Sequence, residues 1–145
     1  MGRFYTITCR NKECQYKVDL YEGPGMIAFA RTRRLQDDIL EGRQEAPEII
    51  KELLRKGYKL DCVTTFLCPS CNEWQTKKDP YIFEKIKVSP MGTVREYKLH
   101  FINGVPVCEK CGTELQHILN PRSSKNRCPK CGSDNMRVGG FGCYD

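Results

Sequence analysis

Short segments in which apolar and polar residues alternate predict a chain built largely from short β-strands. The segments with this pattern are 4–8, 16–21, 58–67, 72–76, 81–88, 94–102, 113–119 and 135–138. In segment 94–102, Tyr97, Leu99 and Phe101 fall on one face of the predicted strand. Asn103-Gly104 follows it and is a strong signal for a hairpin turn. The tail 139–145 is rich in glycine, so we expect it to be loose.

Between about residues 27 and 56 the apolar positions take the period of a helix. A first helix is predicted from about 27 to 41, ending at Gly42. Pro47 suits the first turn of a second helix, which ends at Gly57. Its apolar stripe consists of Ile49, Ile50, Leu53 and Leu54. Such stripes belong more often to a core than to a docking surface, so we expect a helical hairpin packed on the neighbouring strands.

Two C-x-x-C motifs near the C-terminus predict a metal site. Sixteen residues separate them, within the range expected of a four-cysteine zinc site. The glycines that follow them, Gly112 and Gly132, suit a left-handed backbone conformation at the exit of each turn. Four thiolates fill a tetrahedral shell, so the predicted role of the metal is structural. The predicted ligands are Cys108, Cys111, Cys128 and Cys131.

Two further cysteine pairs, each between predicted strands, suggest a second site of the same kind. Four residues separate Cys9 from Cys14, and Cys68 and Cys71 form a C-x-x-C motif after 53 intervening residues. Because Asn72 to Thr76 reads as a strand and not as the helix that follows a redox dithiol, we favour a metal over redox chemistry. We assign Cys9, Cys14, Cys68 and Cys71 to this second site.

Composition and charge restrict the partners. The chain has 145 residues, of which 39% are hydrophobic, and this predicts two thin cores held by metal. The formal charge is +6, but eight thiolates and two divalent ions would lower it to about +2. Only local basic patches therefore remain as nucleic-acid candidates. No apolar run approaches the length of a membrane span and no signal-peptide core is present, so we expect a cytoplasmic protein without a membrane partner.

The remaining reactive side chains form no catalytic constellation. Cys62 is in register with predicted core residues, so a buried thiol is expected, and Cys143 is expected to be exposed. His100 and His117 both fall in predicted strands. No arrangement for nucleophilic or acid–base catalysis is visible. We therefore predict a protein that is not an enzyme, and no small-molecule substrate is evident.

A basic loop between the C-terminal motifs is the nucleic-acid candidate. It contains Arg122, Lys125, Arg127 and Lys130 with no acidic residue among them. Such side chains contact phosphates in many complexes. The alternative interpretation is a solvated loop that balances the negative thiolates, and short charge runs favour it.

The Cys-x-x-Cys-Gly and Cys-Pro-x-Cys-Gly sequences at 108–112 and 128–132 resemble the knuckles of the zinc-ribbon and rubredoxin-like superfamily. The longer layout, with the turn Gly23-Pro24-Gly25-Met26, resembles small uncharacterised bacterial proteins that have two zinc ribbons. The first resemblance implies metal binding and no particular function. Rubredoxins hold iron in the same knuckles and transfer electrons. Rubredoxins have an aromatic residue where this chain has Thr113-Glu114-Leu115, and this difference counts against iron. Iron therefore stays the alternative metal at the C-terminal site, after zinc.

These observations together predict an α+β protein with two small antiparallel zinc-ribbon modules. The predicted domains are 1–79, a ribbon with a helical-hairpin insertion at about 27–56, and 80–145, a β-hairpin followed by the C-terminal ribbon. The expected cofactors are two zinc ions. The expected function is non-enzymatic binding of an unknown protein or nucleic acid as an adaptor module. A rubredoxin-like electron carrier and an accessory subunit of an enzyme are the alternatives.

Overall fold

A computed structural model describes residues 2–123 and 126–144 and gives an α+β architecture. Its helices and strands are, in chain order, β1 (Gly2–Cys9), β2 (Lys17–Glu22), α1 (Met26–Leu40), α2 (Glu48–Arg55), β3 (Thr64–Cys68), β4 (Glu73–Lys77), β5 (Tyr81–Val88), β6 (Val94–Phe101), β7 (Gln116–His117) and β8 (Met136–Tyr144). The sheets have the strand orders β2-β1-β8, β4-β3-β7 and β5-β6, and every strand pair is antiparallel. Neither described helix is long and apolar enough to cross a membrane.

The contacts divide the chain differently from the predicted boundary at residue 79. One unit comprises residues 1–26, 63–78 and 105–145, and it contains both three-stranded sheets. The other comprises residues 27–62 and 79–104, and it contains most of α1, α2 and the β5–β6 hairpin. The prediction had grouped that hairpin with the C-terminal motif. The hairpin instead belongs with the helices because Ile82 of β5, fully buried, joins the apolar cluster that they form.

The core of the helical unit follows the predicted stripe of α2. Ile50, Leu53 and Leu54 are buried, and they pack with Ile39 of α1 and with Leu60. Ile49, which the stripe included, is 41% exposed. The buried part of the stripe therefore packs on Leu60 and Ile82 within its own unit.

The core of the other unit lies under one face of the β2-β1-β8 sheet. Tyr5 and Ile7 of β1 are almost completely buried and pack with Leu20 of β2 and Trp74 of β4. Alternate residues of a strand point to opposite faces. Phe4, Thr6 and Thr8 therefore lie on the other face of β1, where they are partly exposed.

The glycine-rich tail, predicted to be loose, forms strand β8. Gly2 pairs with Tyr144 and Phe4 pairs with Gly142 across the β1–β8 ladder. A Cβ atom at either glycine would lie 2.3 Å from the aromatic ring of its partner. The glycines thus let the rings of Phe4 and Tyr144 lie over the backbone of the opposite strand, which stabilises a pairing that composition alone does not indicate.

Candidate metal centres

The structure gathers the eight predicted cysteine ligands into two groups of four, but with a different pairing. Cys9 and Cys14 lie with Cys128 and Cys131, and Cys68 and Cys71 lie with Cys108 and Cys111. We call the first group the outer site and the second the inner site, because one is nested within the other in the sequence. The predicted sets, Cys108/Cys111/Cys128/Cys131 and Cys9/Cys14/Cys68/Cys71, are not brought together. The iron alternative was placed on the first of those sets, whose cysteines lie in two different sites in the structure.

Strand pairing is the physical reason for the observed grouping. Cys9 ends β1 and is paired with Met136, the first residue of β8, which follows the Cys128–Cys131 turn. Leu67 of β3 is paired with Gln116 of β7, so the Cys108–Cys111 turn reaches the tip of the β3–β4 hairpin. Each site therefore consists of one cysteine turn at a hairpin tip and one that precedes the third strand of the same sheet.

The sulfur positions suit one tetrahedral ion per site. In the outer site Cys9 Sγ is 3.6 Å from Cys131 Sγ, and Cys14 Sγ is 3.7 Å from Cys128 Sγ. In the inner site the corresponding distances are 3.5 Å for Cys68–Cys111 and 3.9 Å for Cys71–Cys108. A tetrahedral ion with metal–sulfur bonds of about 2.3 Å requires sulfur atoms about 3.8 Å apart. The distances exceed a disulfide bond of about 2.05 Å by far.

The two sites share one backbone design. The residue after the second cysteine of every turn has a positive φ: 51° at Gln15, 52° at Asn72, 73° at Gly112 and 74° at Gly132. In the C-terminal turns the glycine amide donates a hydrogen bond of 2.8 Å to the carbonyl of the first cysteine. The left-handed exit predicted for Gly112 and Gly132 is thus confirmed. The same conformation at Gln15 and Asn72 was missed, because neither residue is a glycine.

Polar side chains beside the sulfurs are a further feature that the sequence does not predict. Gln75 Nε2 donates to Cys108 Sγ at 3.1 Å, Asn11 Nδ2 lies 3.7 Å from Cys131 Sγ, and Thr113 Oγ1 lies 3.2 Å from Cys111 Sγ. Gln75 reaches its sulfur across the sheet from β4, so no local motif signals it. Asn11 and Thr113 are within three residues of a cysteine and were the only ones that sequence position could have suggested.

Hydrogen bonds to the sulfurs and the burial of the cysteines lower the pKa of some thiols and raise the pKa of others. The Gln75 side chain is the main cause that lowers the pKa of Cys108 to about 6, and the Ser133 amide is the main cause that lowers the pKa of Cys131 to about 7. Burial raises the pKa of Cys9 to about 12, and hydrogen bonding with Cys111 raises the pKa of Cys71 to about 12. Four close thiolates repel one another, so a cation that binds here must displace protons from the remaining thiols.

A carboxylate ties the two sites together. Glu73 Oε2 accepts from Lys110 Nζ at 2.8 Å, and Glu73 Oε1 lies 3.2 Å from Lys130 Nζ. These lysines occupy the same position in the two C-terminal cysteine turns. Lys130 Nζ also donates to the carbonyl of Cys71 at 2.9 Å. The two ammonium groups hold the pKa of Glu73 below its ordinary value.

The proposed nucleic-acid loop is partly occupied by internal contacts. Arg122 Nη2 lies 3.2 Å from a carboxylate oxygen of Glu22, and its guanidinium lies over the Tyr5 ring. Lys130 is engaged as described above, and Arg127 Nη1 lies 3.4 Å from the carbonyl of Gly132. Lys125, the fourth residue of this prediction, lies outside the described residues. These contacts favour the alternative interpretation, in which the loop balances nearby negative charge.

The cysteines and histidines left out of the sites lie where the sequence placed them. Cys62 is 4% exposed, with the Thr32 hydroxyl 3.2 Å from its sulfur, and Cys143 is exposed. His100 lies in β6 and His117 in β7. His117 Nε2 lies 2.9 Å from the Thr64 hydroxyl, and burial lowers the pKa of its imidazole to about 4.

Comparisons with known proteins give no family for this chain. No protein-family model matches the sequence, and no significant match was found among curated proteins or among solved structures.

Proposed function

We propose that this chain is a non-enzymatic zinc-binding module in which two structural zinc ions, one at each four-cysteine site, hold a zinc-ribbon-like scaffold that binds a partner macromolecule. The observation that carries the proposal is the pair of sulfur clusters, both of which have the spacing of a tetrahedral thiolate shell. Four protein ligands leave no open position on the ion for a substrate. A structural role therefore fits this donor set better than a catalytic one.

The burial of the ligands supports the same role. In both sites, in chain order, the first and third cysteines are buried, the second is partly buried and the fourth is exposed. The buried cysteines end or adjoin the strands of the small core, so a bound ion would join strands that few apolar residues hold together. Small domains commonly depend on a metal in this way. The helices and the β5–β6 hairpin would then be an insertion carried by the zinc-bound scaffold.

The test is a set of single-cysteine variants with the zinc content and cysteine protection of each measured. The natively expressed protein should be colourless and contain two zinc ions. Cys131→Ser should retain one, and an alkylating reagent should then modify Cys9, Cys14 and Cys128 while the inner site stays protected. Cys111→Ser should give the mirror result, with Cys68, Cys71 and Cys108 modified. Cys62→Ala, which removes a buried thiol outside both sites, is the matched control and should retain two.

Each alternative has its own signature in that experiment. If Cys111→Ser released Cys128 and Cys131 together with Cys108, the two C-terminal turns would share one ion and the observed pairing would be wrong. Iron with thiolate-to-iron absorption and a reversible one-electron couple would replace the zinc proposal by the electron carrier. Co-purification of the chain with one enzyme in a constant ratio would favour the alternative that it is an accessory subunit of that enzyme.

A further inference from the structure

The β2-β1-β8 sheet has one open face that the metal sites do not use. Directly paired residues of neighbouring strands lie on the same face of a sheet. Thr8 is paired with Lys17 and with Arg137, and Thr6 is paired with Asp19 and with Gly139. We define the open face as the side that carries Phe4, Thr6 and Thr8 on β1, Lys17, Asp19 and Tyr21 on β2, and Arg137, Gly139, Gly142 and Tyr144 on β8.

One end of the open face is a shallow cationic pocket of about 450 Å³. Its lining includes Arg10, Lys17 and Arg137, all exposed, together with the hydroxyl-bearing Thr6 and Thr8. Within the part of the chain that the structure describes, none of the three cationic side chains has an acidic partner. The one carboxylate on the face, that of Asp19, accepts a 2.6 Å hydrogen bond from the Thr6 hydroxyl. The pocket therefore offers a net positive site for an anion.

Glycines keep this pocket open. Gly139 has no atom within 4 Å of the position that a Cβ would take, so the space beside Thr6 is empty. Gly140 has a φ of 62°, and with Phe141 it forms a bulge opposite Tyr5. A side chain at 139 would project beside Thr6 into the pocket. The absence of one at this position leaves the backbone accessible to a ligand.

The other end of the open face is aromatic. Tyr21 lies between Phe4 and Tyr144, with ring centroids 6.2 Å and 5.2 Å away. The Phe4 ring lies over Gly142 and the Tyr144 ring over Gly2, so both rings rest against the backbone of the neighbouring strand. Tyr21 is 37% exposed, and Phe4 and Tyr144 are half-buried. The Tyr21 ring is inclined by 43° to Phe4 and by 85° to Tyr144, so the three rings form a partly exposed aromatic cluster, which we call the platform.

We propose that the open face binds single-stranded RNA, with bases on the Phe4, Tyr21 and Tyr144 platform and phosphates at Arg10, Lys17 and Arg137. Proteins that bind single strands combine a cationic track with aromatic rings on which bases stack. Charge complementarity and the neighbouring rings favour this partner over an acidic peptide, which has no bases to stack. The Thr6 hydroxyl lies between the cationic residues and the rings on β1, and the Thr8 hydroxyl lies among the cationic residues, where a ribose 2′-hydroxyl can both donate and accept. The inference deepens the proposed function and rests on it, because Cys9, an outer-site ligand, ends β1.

The binding test uses the full zinc-loaded chain and a fluorescein-labelled RNA of mixed sequence, about 12 nucleotides long. Fluorescence anisotropy gives the affinity between about 50 and 200 mM salt. The variant Lys17→Ala/Arg137→Ala should weaken binding about tenfold or more, and it should lower the slope of log K against log salt by about 1.4, or about 0.7 for each lost phosphate contact. Tyr21→Ala should also weaken binding about tenfold through lost stacking. Gly139→Leu should fill the pocket and weaken binding with the metal content unchanged.

A matched control removes the same charge elsewhere. Lys85→Ala/Arg95→Ala deletes two exposed cations of the β5–β6 hairpin and should leave RNA affinity within about twofold of the wild type, since single-strand binding is carried by the local site. An equal loss in this control would overturn the proposal, as would a loss confined to Arg127→Ala in the loop. DNA of the same sequence bound as tightly would refute the role of the ribose hydroxyl.

Zinc content, measured on every sample, separates the two proposals. Protein with two zinc ions that does not bind RNA at low salt would overturn the RNA site and leave the metal assignment intact. Protein without zinc would overturn the metal assignment itself.

Discussion

The residue that follows each cysteine turn has a left-handed backbone conformation. We predict that replacing the glycine at this position lowers the stability of the chain in one turn, and that introducing a glycine raises it in another. Gly112 has a φ of 73°, and no atom lies within 4 Å of the position of a Cβ there. Gly112→Ala therefore creates no clash, and its cost is that of the backbone conformation alone, about 1–2 kcal/mol. Alanine also restricts the unfolded chain, which returns about 0.4–1 kcal/mol. The net destabilisation should be about 1 kcal/mol.

Gln15 occupies the equivalent position in the first turn with a φ of 51°. Gln15→Gly should relieve the same backbone cost and increase the freedom of the unfolded chain, for a net stabilisation of about 0.5–1 kcal/mol. Asn72→Gly should gain less, because asparagine tolerates the left-handed region better than glutamine does. Gly139→Ala is the control, since Gly139 has no positive φ and its Cβ position is equally clear.

The assay is urea denaturation followed by the fluorescence of Trp74, the only tryptophan in the sequence. Its side chain is 5% exposed and packs with Tyr5 and Leu20 in the core. Free zinc is buffered at one concentration, because metal that binds only the folded state adds to the apparent stability. With a slope near 1 kcal/mol per molar urea, Gly112→Ala should lower the midpoint by roughly 1 M. Equal midpoints for Gly112→Ala and Gly139→Ala, or destabilisation by Gln15→Gly, would refute the requirement for a left-handed exit.

Two further predictions concern burial. Because burial lowers the pKa of His117 to about 4 in the folded chain, against about 6.5 unfolded, the unfolded state binds more protons between these values and stability should fall as the pH falls from about 6.5 to 4. Subtracting the wild-type curve from that of His117→Gln cancels acid effects common to both, and identical pH slopes would contradict the prediction. Ile50→Ala removes a fully buried side chain of α2 and should cost about 3 kcal/mol, seen as earlier loss of the helical circular dichroism signal on heating. The metal content should not change, since all eight cysteines of the two sites lie in the other unit, and loss of metal would argue against that division.

Local signals explain which parts of the fold the sequence predicts well. The α2 stripe and the strands predicted at 4–8, 16–21 and 72–76 each depend on a few neighbouring residues, and each lies within a residue or two of its predicted place. The strand predicted at 58–67 is shorter, at Thr64–Cys68. The hairpin predicted at Asn103-Gly104 is wrong, because β6 pairs with the preceding strand β5 and the following strand β7 pairs with β3. Cys62 was predicted to be buried by its register alone, and it is. These features follow from the spacing of apolar residues along the chain, a signal that extends over only a few residues.

The pairing of the cysteine turns depends on contacts that are distant in the sequence. The spacing of 16 residues favoured one site from the two C-terminal turns, but the β1–β8 ladder draws Cys128 and Cys131 to the N-terminal hairpin instead. That ladder was hidden because β8 contains Gly139, Gly140 and Gly142, which composition assigns to a loose tail. The Phe4 ring lies over Gly142, and this contact between strands is not visible in the composition of the tail.

The nested order of the two sites has a consequence for how the chain is assembled during synthesis. Cys71 and Cys108 are 37 positions apart, whereas Cys14 and Cys128 are 114 positions apart. Closing the longer loop in an unfolded chain costs about 1 kcal/mol more entropy. A ribosome releases residues from the N-terminus onward, so all four inner ligands emerge while Cys9 and Cys14 still lack their partners. We expect the inner ion to bind first and shorten the effective loop, so that the outer ion completes the fold only when β8 emerges.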